Sequence, residues 1–167
     1  MNEKVREGLI MERTGDMIAN LTHMPECIAV EGVELKQVYT TDKNKVMDFI
    51  REHFHEGWAL EAEYAMMQSP RKCFIAVENK QIIGFACYDT TAKGFFGPIG
   101  VAKEARGRKI GQALTLRVMH AMREYGYGYA IIGWVGSAEN FYRKTVNAEW
   151  IDGGEPENSV YWNMIDM

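Results

Sequence analysis

A run of glycines and basic residues follows a strand-like segment and opens a long helical one. The basic side chains are Arg106, Arg108 and Lys109, and Gly107 and Gly111 are spaced among them. The first turn of a helix has unpaired backbone N–H groups and the positive end of the helix dipole, and glycine lets an anion approach the backbone closely. The run therefore predicts a site for a small anionic group such as a phosphate. The alternative is an ordinary strand-to-helix turn with solvated basic side chains.

Hydrophobic periodicity predicts the elements that position this run. Strands are predicted at 33–39, 73–77, 82–88, 94–101, 129–134, 148–151 and 160–165. Helices are predicted after Thr41-Asp42 and at 59–67, 109–125 and 138–144, with a further short helix at 16–21. This order favours a single α/β domain with a mixed, mostly antiparallel sheet and helices against it.

The strand predicted at 94–101 contains Gly97, Pro98 and Gly100. Proline cannot donate to a strand ladder, and glycine permits a bulge. We therefore expect this strand to be locally irregular.

These features resemble the GNAT superfamily of acyl-CoA-dependent N-acetyltransferases. Residues 106–111, Arg-Gly-Arg-Lys-Ile-Gly, are similar to the cofactor signature R/Q-x-x-G-x-G/A, with Lys109 where the family prefers glycine. A register shifted to 108–113 satisfies the signature literally, but its distance from Val101 is less typical. The resemblance covers about residues 33–167. It implies a mixed sheet of about seven strands, flanked by helices and splayed at its middle strands.

The resemblance implies that acetyl-CoA is the acyl donor. Its diphosphate would lie on the N–H groups of residues 106–111, and its amide-rich arm would pair with the free edge of the irregular strand. The N–H of Val101 would face the thioester oxygen. The implied cofactor-binding residues are Ile99, Gly100, Val101, Arg106, Gly107, Arg108, Lys109, Ile110, Gly111, Gln112, Asn140 and Tyr142.

The same resemblance implies that Tyr142, on the short helix at 138–144, is the general acid for the departing thiolate. A core tyrosine on an amphipathic helix is the alternative. An alkylamine acceptor would also need a base, and the preferred candidates are Glu56, in the link before the second helix, and Glu61, in that helix. An arylamine, or an acceptor that arrives neutral, would need none.

Composition limits the other possibilities. The 167 residues are enough for about one domain, which we place at 33–167 after an N-terminal extension at 1–32. The net charge of −4 argues against nucleic acid as a partner. No apolar run approaches a membrane span, residues 1–13 are too charged for a signal peptide, and the three cysteines form no C-x-x-C pair, so we expect a cytoplasmic protein. The pair His53-x-His55 lacks a third ligand, and no metal is expected.

The sequence thus predicts an N-acetyltransferase that moves an acetyl group to an amine of a small molecule or peptide by direct attack in a ternary complex. No cysteine lies beside the cofactor run to form an acetyl-enzyme. The first alternative is a non-catalytic acyl-CoA-binding or regulatory module on the same fold. A nucleotide- or phosphate-binding enzyme is more distant, because no G-x-x-x-x-G-K-S/T pattern is present. A homodimer is left open.

Overall fold

The computed structural model describes residues 12–165 of the chain. Its strands are β1 (Gly15–Asn20), β2 (Glu34–Gln37), β3 (Cys73–Glu78), β4 (Gln81–Tyr88), β5 (Phe95–Val101), β6 (Tyr129–Val135) and β7 (Glu149–Trp150). Its helices are α1 (Lys43–His53), α2 (Glu56–Met67), α3 (Ile110–Tyr125) and α4 (Glu139–Val146). The strands form one sheet in the order β2-β3-β4-β5-β6-β1-β7, with only β5 and β6 parallel. The predicted mixed, mostly antiparallel α/β fold is confirmed.

Helix α3 is anchored on the centre of the sheet. It packs on β4 and β5 and buries a row of apolar side chains that includes Leu114, Val118 and Met122. Full burial of an aliphatic side chain contributes roughly 1.5–3 kcal/mol, so the row holds the helix firmly. The helix ends at Tyr125, the predicted last residue, and Gly126 follows it at φ 121°. The first turn of α3 is therefore fixed in place shortly after the end of β5.

Strands β5 and β6 separate soon after they meet. They pair only at Phe95 with Ile131 and at Phe96 with Ile132. Beyond Phe96, β5 continues beside β4 alone, and the register between β4 and β5 shifts between Ala86 and Tyr88. The predicted irregularity of this strand is confirmed, and it opens the middle of the sheet.

The short helix predicted at 16–21 is wrong, because these residues form most of β1. Strand β1 lies between β6 and β7 and pairs with both. Met17 and Ala19 are fully buried there. Residues 1–11 of the predicted N-terminal extension lie outside the described residues, whereas 15–20 belong to the same sheet as the rest of the chain.

The strand predicted at 160–165 is also wrong: Val160–Asn163 is a 3-10 helix. Strand β1 occupies the position between β6 and β7, so the C-terminal segment does not enter the sheet there. A buried carboxylate holds this segment in place. Asp16 accepts a hydrogen bond from Ser159 Oγ at 3.0 Å and another from the backbone N–H of Trp134 at 2.9 Å. These bonds hold the segment that carries Tyr161 against β6. Among residues 12–165, no helix combines the length and apolar character needed to cross a membrane.

Candidate active site

A cleft of about 920 Å³ lies where β5 and β6 separate. One wall is formed by β5 from Phe96 to Ile99, and the other by β6 and the turn into α4. Side chains of α2 and of the C-terminal segment complete it. The cleft therefore exists because two neighbouring strands stop pairing in the middle of the sheet.

The loop between β5 and α3 presents free backbone amides. Within the part of the chain that the structure describes, no backbone or side-chain group accepts from the N–H groups of residues 107–112. The first helical bond of α3 runs from Ala113 N–H to Lys109 O at 2.9 Å. Unpaired amides at the positive end of a helix of this length attract an anion.

The basic side chains of this loop are less free than the sequence suggests. Arg106 Nε donates to Val101 O at 3.1 Å, which ties the loop to the end of β5. Arg108 binds Glu78 on β3 through both terminal nitrogens, and the hydrogen bond lowers the pKa of the Glu78 carboxyl. Lys109 makes no salt bridge among residues 12–165. The charge of Arg108 is thus already balanced within the protein.

Val101 directs its peptide groups away from β4 and towards the side on which β5 and β6 part. Ala102 N–H donates to Ile83 O at 2.9 Å, so Ala102 belongs to a hydrogen-bonded pair of the antiparallel β4–β5 ladder. Successive residues of such a ladder alternate between facing the partner strand and facing away from it. The N–H groups of Val101 and Ile99 are therefore available on the opened edge of β5.

Tyr142 lies on α4, in the wall of this cleft. Its ring meets those of Phe96 and Phe141 edge-on, with centroid distances of 6.1 and 5.0 Å. The hydroxyl has no hydrogen-bond partner among residues 12–165, and burial raises the pKa of the phenol above its usual value. Tyr142 therefore stays protonated at neutral pH, and its hydroxyl proton is not donated to any of the described residues.

The two predicted bases lie in different places. Glu61 lines the cleft and accepts a hydrogen bond from Thr91 Oγ1 at 2.5 Å. Glu56 is exposed outside the cleft, where Arg51 binds both of its oxygens and lowers the pKa of its carboxyl. The structure brings only Glu61 to the cleft.

Residues 36–146 match the Acetyltransferase (GNAT) family. This match covers well over half of the chain. The chain belongs to the GNAT family. No curated protein is similar enough in sequence to match it.

Solved GNAT structures share this fold. A glucosamine N-acetyltransferase region of a fungal multi-domain β-N-acetylglucosaminidase aligns with 87% of this chain and 21% of its own, at 15% identity and a TM-score of 0.66. A GNAT protein from Sphaerobacter thermophilus aligns with 83% of this chain and 48% of its own, at 21% identity and a TM-score of 0.66. The chain thus spans less than half the length of either. A GNAT acetyltransferase from Brucella melitensis, solved with acetyl-CoA, aligns with 65% of this chain and 80% of its own, at 16% identity and a TM-score of 0.50.

Several residues that the GNAT resemblance implies for cofactor binding have a packing role or lie away from the cleft. A Cβ atom at Gly100 would collide with the ring of Phe54, so this glycine is required by packing. The side chain of Ile110 is buried in the core, so only its backbone faces the loop. Gly111 and Gln112 contribute free amides, whereas Asn140 is exposed and does not line the cleft.

Lys109 is the residue at which this chain departs from the GNAT signature, which prefers glycine there. Its backbone is left-handed, at φ 65° and ψ 15°. Glycine adopts this conformation without the clash between Cβ and the backbone that an L side chain meets. The glycine preferred in the family is therefore the residue that this turn favours, and lysine retains the same backbone path at a cost.

Replacing Lys109 with glycine should stabilise the protein by about 0.5–1 kcal/mol, since relief of left-handed strain outweighs the added entropy of the unfolded chain. Urea unfolding measures this change. Lys109→Ala removes the same charge but keeps the strain, and it should bring no such gain. Equal gains from both variants would show that charge, and not backbone conformation, sets the effect.

Proposed function

We propose that this GNAT protein is an acetyl-CoA-dependent N-acetyltransferase that acts on an amine by direct attack in a ternary complex. The observation that carries the proposal is the set of N–H groups at 107–112, which have no acceptor among residues 12–165 and lie beside an opened edge of β5. The first feature suits a diphosphate, and the second suits an extended chain that contains amides.

The residues present fit acetyl-CoA, which supplies the acetyl thioester. The amides of 107–112 would hold the diphosphate, with Lys109 adding positive charge. The outward N–H groups of Ile99 and Val101 and the C=O of Ile99 would pair with the arm as an added strand does, while the Val101 C=O already accepts from Arg106. The Brucella melitensis structure with this fold contains acetyl-CoA, which agrees with such a role.

Three groups of the chain would carry the reaction. The Val101 N–H would donate to the carbonyl oxygen as negative charge builds on it. The neutral amine nitrogen would attack the carbonyl carbon, so that a C–N bond forms and the C–S bond breaks. Glu61 would take the proton released by the amine through intervening water, and Tyr142 would give a proton to the departing sulfur.

The free energies of the proton transfers are consistent with these roles. Neutralising an alkylamine of pKa ~10.4 at pH 7 costs roughly 4.6 kcal/mol, so a nearby carboxylate is useful. Burial weakens Tyr142 as an acid relative to a phenol in water. The same dry surroundings also disfavour a thiolate, which would make proton transfer to sulfur easier.

Titration calorimetry with coenzyme A, followed by a thiol-release assay with acetyl-CoA and a panel of amines, tests the proposal. We expect saturable binding and thiol release that depends on an amine. Absence of saturable binding would overturn the proposal. Binding without transfer to any amine would instead support the non-catalytic acyl-CoA module.

A further inference from the structure

We infer that the acceptor is a primary monoamine on an apolar body, rather than an amino acid, a polyamine or an amino sugar. The inference rests on the proposed function and concerns the same cleft. Three observations support it: the position of the Glu61 carboxylate, the aromatic rings that line the cleft around it, and the absence of any other acid, lysine or arginine from the lining among residues 12–165.

Glu61 lies near the Gly97 end of β5, whereas the anion-binding loop follows its Val101 end. Thr90 lies between the two: its Oγ1 donates to Gly97 O at 3.0 Å and is 3.4 Å from Glu61 Oε1. Four residue steps along a strand span about 13 Å. A donor held by the loop and an acceptor held by Glu61 would thus meet from opposite ends of the opened strand.

One oxygen of Glu61 is held by hydroxyl groups, and the other has no hydrogen-bond partner among residues 12–165. Thr91 Oγ1 lies within hydrogen-bond distance of Glu61 Oε1, at 2.5 Å, and of the Tyr161 hydroxyl, at 3.3 Å. A hydroxyl has one proton and an ionised carboxylate can only accept, so Thr91 donates to Glu61 and accepts from Tyr161. In the described structure, both threonine contacts of the carboxylate go to Oε1. Oε2 is therefore left to accept from an ammonium group.

Aromatic rings line the cleft around this carboxylate. Trp58, Trp134 and Tyr161 all line it, and the Trp134 and Tyr161 rings meet edge-on at 6.0 Å between centroids. Gly133 leaves room for Tyr161, because a Cβ atom there would collide with the ring. Aromatic faces attract a cation by about 0.5–2 kcal/mol and also pack against an apolar body.

The cleft lacks the partners that other acceptors need. Among residues 12–165, Glu61 is the only acid that lines it, and no lysine or arginine does. His55 also lines the cleft, but its side chain is exposed, and its ring is tilted against that of Trp58 at 5.0 Å between centroids. An amino acid would bury its carboxylate in the cleft with no cation to pair with it. A polyamine would bury its second ammonium group with no acid to pair with it. Sugar hydroxyls would lose hydrogen bonds to water, and each such mismatch is costly.

The test compares kcat/KM for 2-phenylethylamine with that for L-phenylalanine, which differs by a carboxylate, and for spermidine and glucosamine. We expect 2-phenylethylamine to be preferred by about 100-fold, the scale on which a site rejects a substrate whose polar group it cannot pair. Glu61→Gln should lower kcat/KM for 2-phenylethylamine by about 100-fold, with coenzyme A affinity unchanged. Glu63→Gln is the matched control, because Glu63 binds Lys43 at 2.9 Å outside the cleft lining, and its activity should be unchanged.

Equal or better use of any of the other three acceptors would overturn the inference. So would normal activity of Glu61→Gln, or acetylation of another amine of the panel with no transfer to any of these four. Each of these outcomes leaves acetyl transfer itself intact, whereas the proposed function fails by loss of coenzyme A binding or by binding without transfer to any amine.

Discussion

Replacing Gly111 with glutamate is expected to abolish coenzyme A binding and leave the fold intact. Gly111 contributes a free N–H at the start of α3, and a carboxylate there would cover the amides and repel the diphosphate. A hydrogen bond to a charged group contributes about 1.5–3 kcal/mol, so losing two lowers affinity by roughly 10²–10⁴-fold. An acidic residue in the first turn is favourable for the helix itself, so loss of binding would not come from unfolding. Calorimetry with coenzyme A measures the effect.

Two variants serve as controls for Gly111→Glu. Gly128→Glu makes the same substitution at an exposed position with nothing within 4 Å of an added Cβ, and it should bind coenzyme A normally. Gly111→Ala places its Cβ 3.7 Å from the Phe141 ring, an ordinary contact, and should weaken binding far less than glutamate. Normal affinity of a folded Gly111→Glu protein would show that the loop is not the diphosphate site.

The parts of the fold that local pattern decides were predictable. The hairpin of β3 and β4, the long α3 and the irregular β5 each follow from a periodicity or from glycine and proline at fixed places. Segments whose state depends on distant partners were not. Residues 15–20 are a strand because β6 and β7 lie on either side of them, more than a hundred residues away in sequence. A short apolar run carries no sign of such partners.

The residues of the candidate site also fall into those that the local sequence predicts and those that depend on tertiary structure. The anion-binding loop is a continuous run, so its residues could be found in the sequence. Glu56 and Glu61 differ by five residues, about 140° around a helix, so at most one could face the cleft, but nothing local says which. The pairing of Arg108 with Glu78 depends on tertiary structure alone. Thr91 and Tyr161 were missed because a loop and a C-terminal segment bring them to Glu61 from 30 and 100 residues away.

Tyr142→Phe should lower kcat by roughly 10²–10⁴-fold, the range for loss of a general acid, with little change in coenzyme A affinity. The substitution removes only a hydroxyl that has no hydrogen-bond partner within residues 12–165, while the ring keeps its contacts with Phe96 and Phe141. Stability should therefore stay close to that of the native protein. Steady-state kinetics, calorimetry and urea unfolding separate these three effects.

Tyr88→Phe distinguishes a catalytic hydroxyl from a merely buried one. Burial also raises the pKa of Tyr88, to about 12, but its ring lies beside Tyr125 and Lys72, outside the cleft lining. Tyr88→Phe should therefore leave kcat unchanged. If Tyr142→Phe turns over as fast as Tyr88→Phe, the proton that reaches sulfur does not come from Tyr142. Tyr142 would then be a wall of the cleft, and water or another side chain would be the acid.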